Sequence, residues 1–324
     1  MVQEVRLSIG TAMTLGLEKG EPGEYFTTGF IMTHHEGKCE ANCAFCPQAR
    51  GSRSSSDRLS RIAWPTHSFT NVLAKLRETQ LGRICIQCLN YDNVVDDTVA
   101  IIQAIREFTK TQISVCIHPV SKTDMQKIHD AGANNIGVAI DACTDYLFES
   151  IKGSEVGSDY RYETHLRTLE LATDIFGKQH VTTHLIVGLG ESEREAAEFI
   201  LDMYSRGVSV GLFAFTPVQG TELEENEPPD LHVYRRIQVL RYLIAHRIIS
   251  RDEVFYEGGE IRINMDAEEL MNHLRNGLAF RVSGCPGCNR PYYNERPGGI
   301  MYNFPRQLNE DELTEAIEDT GMVT

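Results

Sequence analysis

The sequence predicts an α/β protein built as a (β/α)8 barrel of the TIM type, complete or partly open. Two observations predict it. Short β-branched or apolar runs alternate with helix-period segments, the pattern of parallel β/α units. The chain has 324 residues, 41% of them hydrophobic, enough for one large barrel. Strands are expected at 28–33, 83–87, 113–118, 135–141, 181–187, 209–215, 260–264 and 278–283. The helix expected over 97–109 places Val99, Ile102 and Ile105 on one face. Ser121 followed by Asp124 reads as a helix cap with an acidic third position, and Gly132 reads as its stop. The segments 192–207 and 267–277 also end on glycine. No repeat or low-complexity linker divides the chain, so one domain is expected. Its parts are a leading helical segment (1–24), the barrel (25–283) and an extension (284–324) whose acidic end reads as a solvated helix or tail.

Strand parity assigns side chains to the lumen. In a barrel, residues alternate between the interior and the helix layer. With Ile84 and Ile86 outward, Arg83, Cys85 and Gln87 face in. By the same count Ser114, Cys116, His118, Asp141, Thr182, His184, Ile186, Arg262, Asn264, Arg281 and Ser283 face in. A structural barrel fills its centre with branched apolar groups. A lumen of polar and thiol groups is a binding cavity.

The formal net charge of −15 weighs against non-specific binding to nucleic acid or to an anionic membrane. No apolar stretch reaches spanning length, and residues 1–10 lack a signal-peptide core, so a soluble cytoplasmic protein is expected. Nine cysteines in a reducing compartment stay free thiols, and their grouping points to metal sites.

Cys39, Cys43 and Cys46 lie at C-x3-C-x2-C spacing just after the first strand, with Phe45 before the last cysteine. Three thiolates on one loop suit three irons of a [4Fe–4S] cluster and leave the fourth iron open. A zinc knuckle completed by His34 or His35 is the alternative. A second pair, Cys285 and Cys288 at C-x2-C, follows the last expected strand. Its partners in a second metal site are sought among the lumen thiols Cys85 and Cys116, with Cys88 as competitor.

The cysteine loop resembles the signature of the radical S-adenosylmethionine (SAM) enzymes. That resemblance implies a cluster on Cys39, Cys43 and Cys46 that binds SAM and splits it to a 5′-deoxyadenosyl radical. The run from His184 to Glu191 is similar to the G-x-I-x-G-x-x-E element of the same family, with His184 in place of the first glycine. The resemblance implies SAM contacts from Phe45, Ile186, Gly188 and Glu191, and a ribose contact from Asp141. His165 stands where some relatives carry an arginine for the SAM carboxylate. Residues 87–90 depart from the usual Gly-Gly-Glu.

From about the second strand to the last, the chain resembles biotin synthase in the order and spacing of its elements. The resemblance places Cys85, Cys116 and Arg262 at an auxiliary sulfur-donating cluster, with Thr182 where a third cysteine is expected. The segment from Cys285 to Gly299 instead looks like the biotin-synthase-like subunits of two-component lipoyl synthases. This resemblance implies two [4Fe–4S] clusters, SAM, and sulfur insertion into an octanoyl chain on a protein lysine. Tyr292, Tyr293 and Arg296 would shape the channel for that lysine. Implied partners are a second related subunit and an octanoylated carrier, either the glycine-cleavage H protein or a dehydrogenase E2 domain. A low-potential reductant such as ferredoxin completes the set. Other readings are biotin synthase or another biotin-synthase-like radical SAM enzyme, and a non-enzymatic iron–sulfur carrier or electron-transfer protein.

Overall fold

The computed structural model describes residues 2–22, 26–295 and 298–323. Its elements in chain order are β1 (Glu4–Leu7), α1 (Ile9–Thr14), β2 (Thr28–Thr33), β3 (Arg58–Leu59), β4 (Ile62–Ala63), β5 (Thr66–Ser68), α2 (Phe69–Glu78), β6 (Arg83–Gln87), α3 (Val94–Arg106), β7 (Gln112–Cys116) and α4 (Lys122–Asp130). There follow β8 (Asn135–Gly137), α5 (Asp145–Ile151), α6 (Tyr162–Phe176), β9 (Val181–Val187), α7 (Glu193–Ser205), β10 (Ser209–Ala214) and α8 (Leu231–Ala245). The chain ends with β11 (Val254–Glu257), β12 (Glu260–Ile263), α9 (Ala267–Leu274) and α10 (Glu310–Glu318).

The main sheet runs β10-β9-β8-β7-β6-β2-β1-β5. From β2 to β10 every neighbouring pair is parallel, while β1 and β5 add antiparallel edge strands beside β2. The α/β class and the partly open barrel hold, with six parallel strands forming the wall. The six expected strands from 28 to 215 all lie in this wall, within a few residues of their expected limits.

The last two expected strands do not. The segment 260–264 contributes β12 of a separate antiparallel hairpin with β11. Its turn is Gly258-Gly259, both at positive φ, the backbone a two-residue hairpin demands. The segment 278–283 opens as a single 3-10 turn over Leu278–Phe280, entered from left-handed Gly277, and only then extends. Its extended part still serves the barrel. Leu212 N–H on the open edge of β10 donates to Ser283 Oγ at 2.9 Å, and Ser283 and Gly284 cross the side-chain-free face of Gly211.

The leading segment is a strand and a short helix rather than one long helix. Val5 and Leu7 alternate with Arg6 and pair with β2, and Ser8 then caps α1. The acidic C-terminal end forms α10 behind an Asn309–Glu312 capping box. One face of that helix, with Ala316 and Ile317, is buried, so it is a packed element rather than a free tail.

Parity inside the parallel wall holds. Cys85, Gln87, Cys116, His118, Asp141, Thr182, His184 and Ile186 all line one cavity. Arg83 and Ser114 lie in the same lumen, with Arg83 Nη1 donating to Ser114 Oγ at 2.6 Å and to Asn135 Oδ1 at 3.0 Å. Arg262 is a correction. On the hairpin it donates to Glu260 at 2.6 Å and stands outside the cavity, because the strand that carries it never joins the barrel.

Candidate active site

The three cysteines of the first motif sit on the loop after β2. Cys39 N–H donates to Gln48 O, Cys46 N–H to Cys43 O, and Ala44 N–H to Ile151 O, so the loop is tied to itself and to the end of α5. All three thiols and Phe45 line the lumen cavity. Burial raises each thiol's pKa, that of Cys46 to about 12. These groups stay protonated until a metal displaces the proton. The donor set fits an iron–sulfur cluster: three buried thiols on one short loop open onto a shared cavity. The zinc alternative loses its fourth ligand, since His34 lies 3.8 Å from Glu4 and His35 stacks on Tyr91, and neither lines the cavity. Among the described residues no three Cys, His, Asp or Glu side chains converge as they would around a single ion.

Beside that loop stand the residues expected to meet SAM. Phe45 and Ile186 pack in one apolar cluster with Ile151, Leu189 and Phe215. Asp141 adopts φ +70, a left-handed backbone rare outside glycine. Its carboxylate accepts from Lys152 Nζ at 2.6 Å and lies 3.9 Å from His184 Nδ1. His165 also lines the cavity. Its Nδ1 meets the Arg161 carbonyl at 2.9 Å, its Nε2 has no partner, and burial lowers its pKa to about 3.

Gly188 and Glu191 lie outside the cavity lining. Glu191 accepts from Gly188 N–H at 2.6 Å and Leu189 N–H at 3.0 Å, and Gly188 turns at φ +104. Both shape the strand-to-helix turn that presents Ile186, a supporting role.

Across the lumen a second set of thiols gathers. Cys85 and Cys116 project into the cavity from adjacent strands β6 and β7. The C-terminal extension brings Cys285 Sγ to 3.4 Å from Ser114 Oγ and 4.0 Å from Thr182 Oγ1. Cys288 follows, its N–H on Cys285 O and its thiol 3.5 Å from Arg290 Nη1. All four line the same cavity as the first motif. Gly137 makes room for them: a Cβ there would stand 3.1 Å from Cys116 Sγ and 2.9 Å from Thr182 Oγ1.

Cys88 borders the cavity, but its thiol is 3.2 Å from Thr98 Oγ1, a buried group of α3 on the helix side. Cys143 is buried outside the cavity. Tyr293 lines the cavity and packs edge-on against Phe213, whereas Tyr292 is turned to solvent at 40% exposure. Arg296 lies outside the described residues.

Lys152, Arg290 and Trp64 are among the site residues that escaped the sequence. Lys152 follows the last turn of α5, where helix periodicity assigns no lumen. Arg290 sits in the C-terminal segment, with its guanidinium 4.1 Å from the Phe213 ring centre. Trp64 is 1% exposed, lines the cavity, and carries an unpartnered indole N–H.

A family model described as the radical SAM superfamily matches residues 35–203, just over half of the chain. The chain belongs to the radical SAM superfamily. Biotin synthase of Clostridium acetobutylicum is 23% identical over 239 residues, 71% of this chain and 67% of the relative. The biotin synthase of Fusobacterium nucleatum is 24% identical over 272 residues, 81% and 70% of the two chains. Methylornithine synthase shares the fold with a TM-score of 0.51 at 13% identity, covering 71% of this chain and 72% of that one. The [FeFe]-hydrogenase maturase of Carboxydothermus hydrogenoformans gives 0.51 at 14% identity, covering 96% and 74%. As a radical SAM protein this chain takes a [4Fe–4S] cluster and SAM, and Cys39, Cys43 and Cys46 would hold that cluster. No helix among the described residues is long and apolar enough to cross a membrane.

Proposed function

We propose that this radical SAM enzyme inserts sulfur into an unactivated C–H bond, and that its substrate is an octanoyl chain on the lysine of a lipoyl-carrier protein. One observation carries the reading: Cys285 and Cys288 share a single cavity with Cys85 and Cys116, facing the Cys39–Cys46 loop. When bound, the first cluster with SAM supplies a hydrogen-abstracting radical and a second [4Fe–4S] cluster supplies sulfide.

The chain's own groups set the conditions. Cys85, Cys116, Cys285 and Cys288 would hold the second cluster, and Cys285 delivers a thiol next to Thr182, where this chain lacks the third cysteine of the biotin synthase pattern. Phe45, Ile186, Phe213 and Phe215 give the cavity an apolar wall, which suits a reactive carbon radical that must be kept from water. Both thiol sets open on one lumen, so reacting atoms need cross no solvent. The C-terminal segment resembling two-component lipoyl synthases favours octanoyl-lysine, with a second related subunit and a low-potential reductant as partners. The biotin synthase relatives favour dethiobiotin as the second reading.

The anaerobically reconstituted enzyme, given SAM and reductant, is offered octanoyl-lysine peptide and dethiobiotin in parallel. The peptide should gain the mass of sulfur and dethiobiotin should not. The reverse pattern would replace the octanoyl reading with the biotin one. Absence of 5′-deoxyadenosine would favour an electron carrier.

A further inference from the structure

We propose that Lys152 binds the carboxylate of SAM, supplying the cation that His165 does not. This rests on the SAM chemistry of the family and is independent of the octanoyl reading. A carboxylate brought into a buried cavity needs a charged hydrogen-bond partner, because its lost hydration is otherwise uncompensated. Among the described residues lining the cavity, the lysines and arginines are Lys152 and Arg290. Arg290 is engaged elsewhere: it touches Cys288 and the Leu212 carbonyl and lies on the face of Phe213, on the side of the second thiol set.

Lys152 stands on the other side. Its side chain is 6% exposed, and it directly follows Ile151, whose carbonyl accepts from Ala44 N–H of the cluster loop at 2.8 Å. An ammonium carries three N–H donors. Two are used, one on Ala139 O at 2.5 Å and one on Asp141 Oδ2 at 2.6 Å. The third is left for a ligand in the cavity.

His165 has the opposite polarity. A carbonyl oxygen only accepts, so the 2.9 Å contact with Arg161 O fixes the proton on Nδ1. Nε2, buried and unpartnered, is then a lone pair. It suits an N–H donor such as the SAM ammonium and repels a carboxylate. Arg161 itself is exposed and donates to the Ser158 and Tyr160 carbonyls. The cation therefore comes from the end of α5, one helix before the position where the motif places it.

The test is a binding cycle on the cluster-loaded protein, with the affinity of SAM and of decarboxylated SAM measured by equilibrium dialysis. Loss of one charge-assisted hydrogen bond predicts that Lys152→Met weakens SAM about 10- to 100-fold. Decarboxylated SAM should bind both proteins alike, and Lys152→Arg should restore most of the preference for the carboxylate. Equal weakening of the two ligands would make Lys152 only a structural partner of Asp141 and overturn the proposal, as would no weakening of either. Should the methionine variant fail to take up iron, Lys152→Gln keeps donors for Ala139 and Asp141 and serves the same cycle. A crystal structure of the unaltered protein with SAM decides independently: Lys152 Nζ lies within hydrogen-bond distance of the carboxylate, or the proposal falls.

Discussion

The thiol of Cys285 lies 3.4 Å from the hydroxyl of Ser114, although one residue belongs to the C-terminal extension and the other to the middle of the parallel wall. The extension thus reaches the floor of the lumen. Arg83 fixes it there, donating through Nε and Nη2 to the Pro286 carbonyl at 3.1 and 2.8 Å.

On the proposed reading the two thiol sets serve different steps. The double variant Cys285→Ala, Cys288→Ala should lose thiolation and keep SAM cleavage. Iron and sulfide per chain should fall from about eight to about four of each. Loss of cleavage as well would assign the pair to folding or to the first cluster.

Gly137 is tested by one methyl group. In Gly137→Ala the new Cβ meets Cys116 Sγ and Thr182 Oγ1 inside normal contact distance, and overpacking of this kind costs about 1–3 kcal/mol. The thermal midpoint should drop, and the iron associated with Cys85 and Cys116 should be lost before that on Cys39, Cys43 and Cys46.

Stability of the barrel's closing side depends on Arg236 and Glu193. Both are under 10% exposed, the guanidinium bonds both carboxylate oxygens, and Glu193 also accepts from Ile261 N–H at 2.8 Å. Arg236→Met leaves a buried carboxylate and should cost about 3–5 kcal/mol in urea unfolding. Adding Glu193→Met should recover much of it.

His165 predicts a pH dependence. Its folded pKa, about 3, lies below the unfolded value of 6.5, because burial disfavours the charged ring. The unfolded chain therefore binds the extra proton first. Stability from this group is complete above pH 6.5 and declines by about 1.4 kcal/mol per pH unit as pH falls toward 3. Urea midpoints at pH 7.5 and 5.5 should differ less in His165→Asn than in the unaltered protein.

Strand positions and lumen parity were legible in the sequence, because alternation along β6, β7 and β9 is set by burial of Ile84, Val115 and Leu185 against the helices. The three-cysteine loop was equally legible from spacing alone. The identity of the last two strands was not: β1 and β5 complete the eight-stranded sheet, while a Gly-Gly turn folds 254–263 onto itself, and only tertiary pairing reveals that. Arg262 was misplaced with it. Lys152 was invisible because its role comes from where α5 ends beside Asp141, a relation among residues far apart in local pattern. Glu191 was read as a ligand because the motif reports its presence and not its partner, which is its own turn.

The central claim is tested most directly by isotopic sulfur. The enzyme is reconstituted with ³⁴S-sulfide, and octanoyl-lysine peptide is turned over once with unlabelled SAM and the second related subunit of the proposed pair. The account predicts ³⁴S in the thiolated product, with matching loss of iron from the second site. Product carrying only natural-abundance sulfur, or no thiolated product beside abundant 5′-deoxyadenosine, would contradict it.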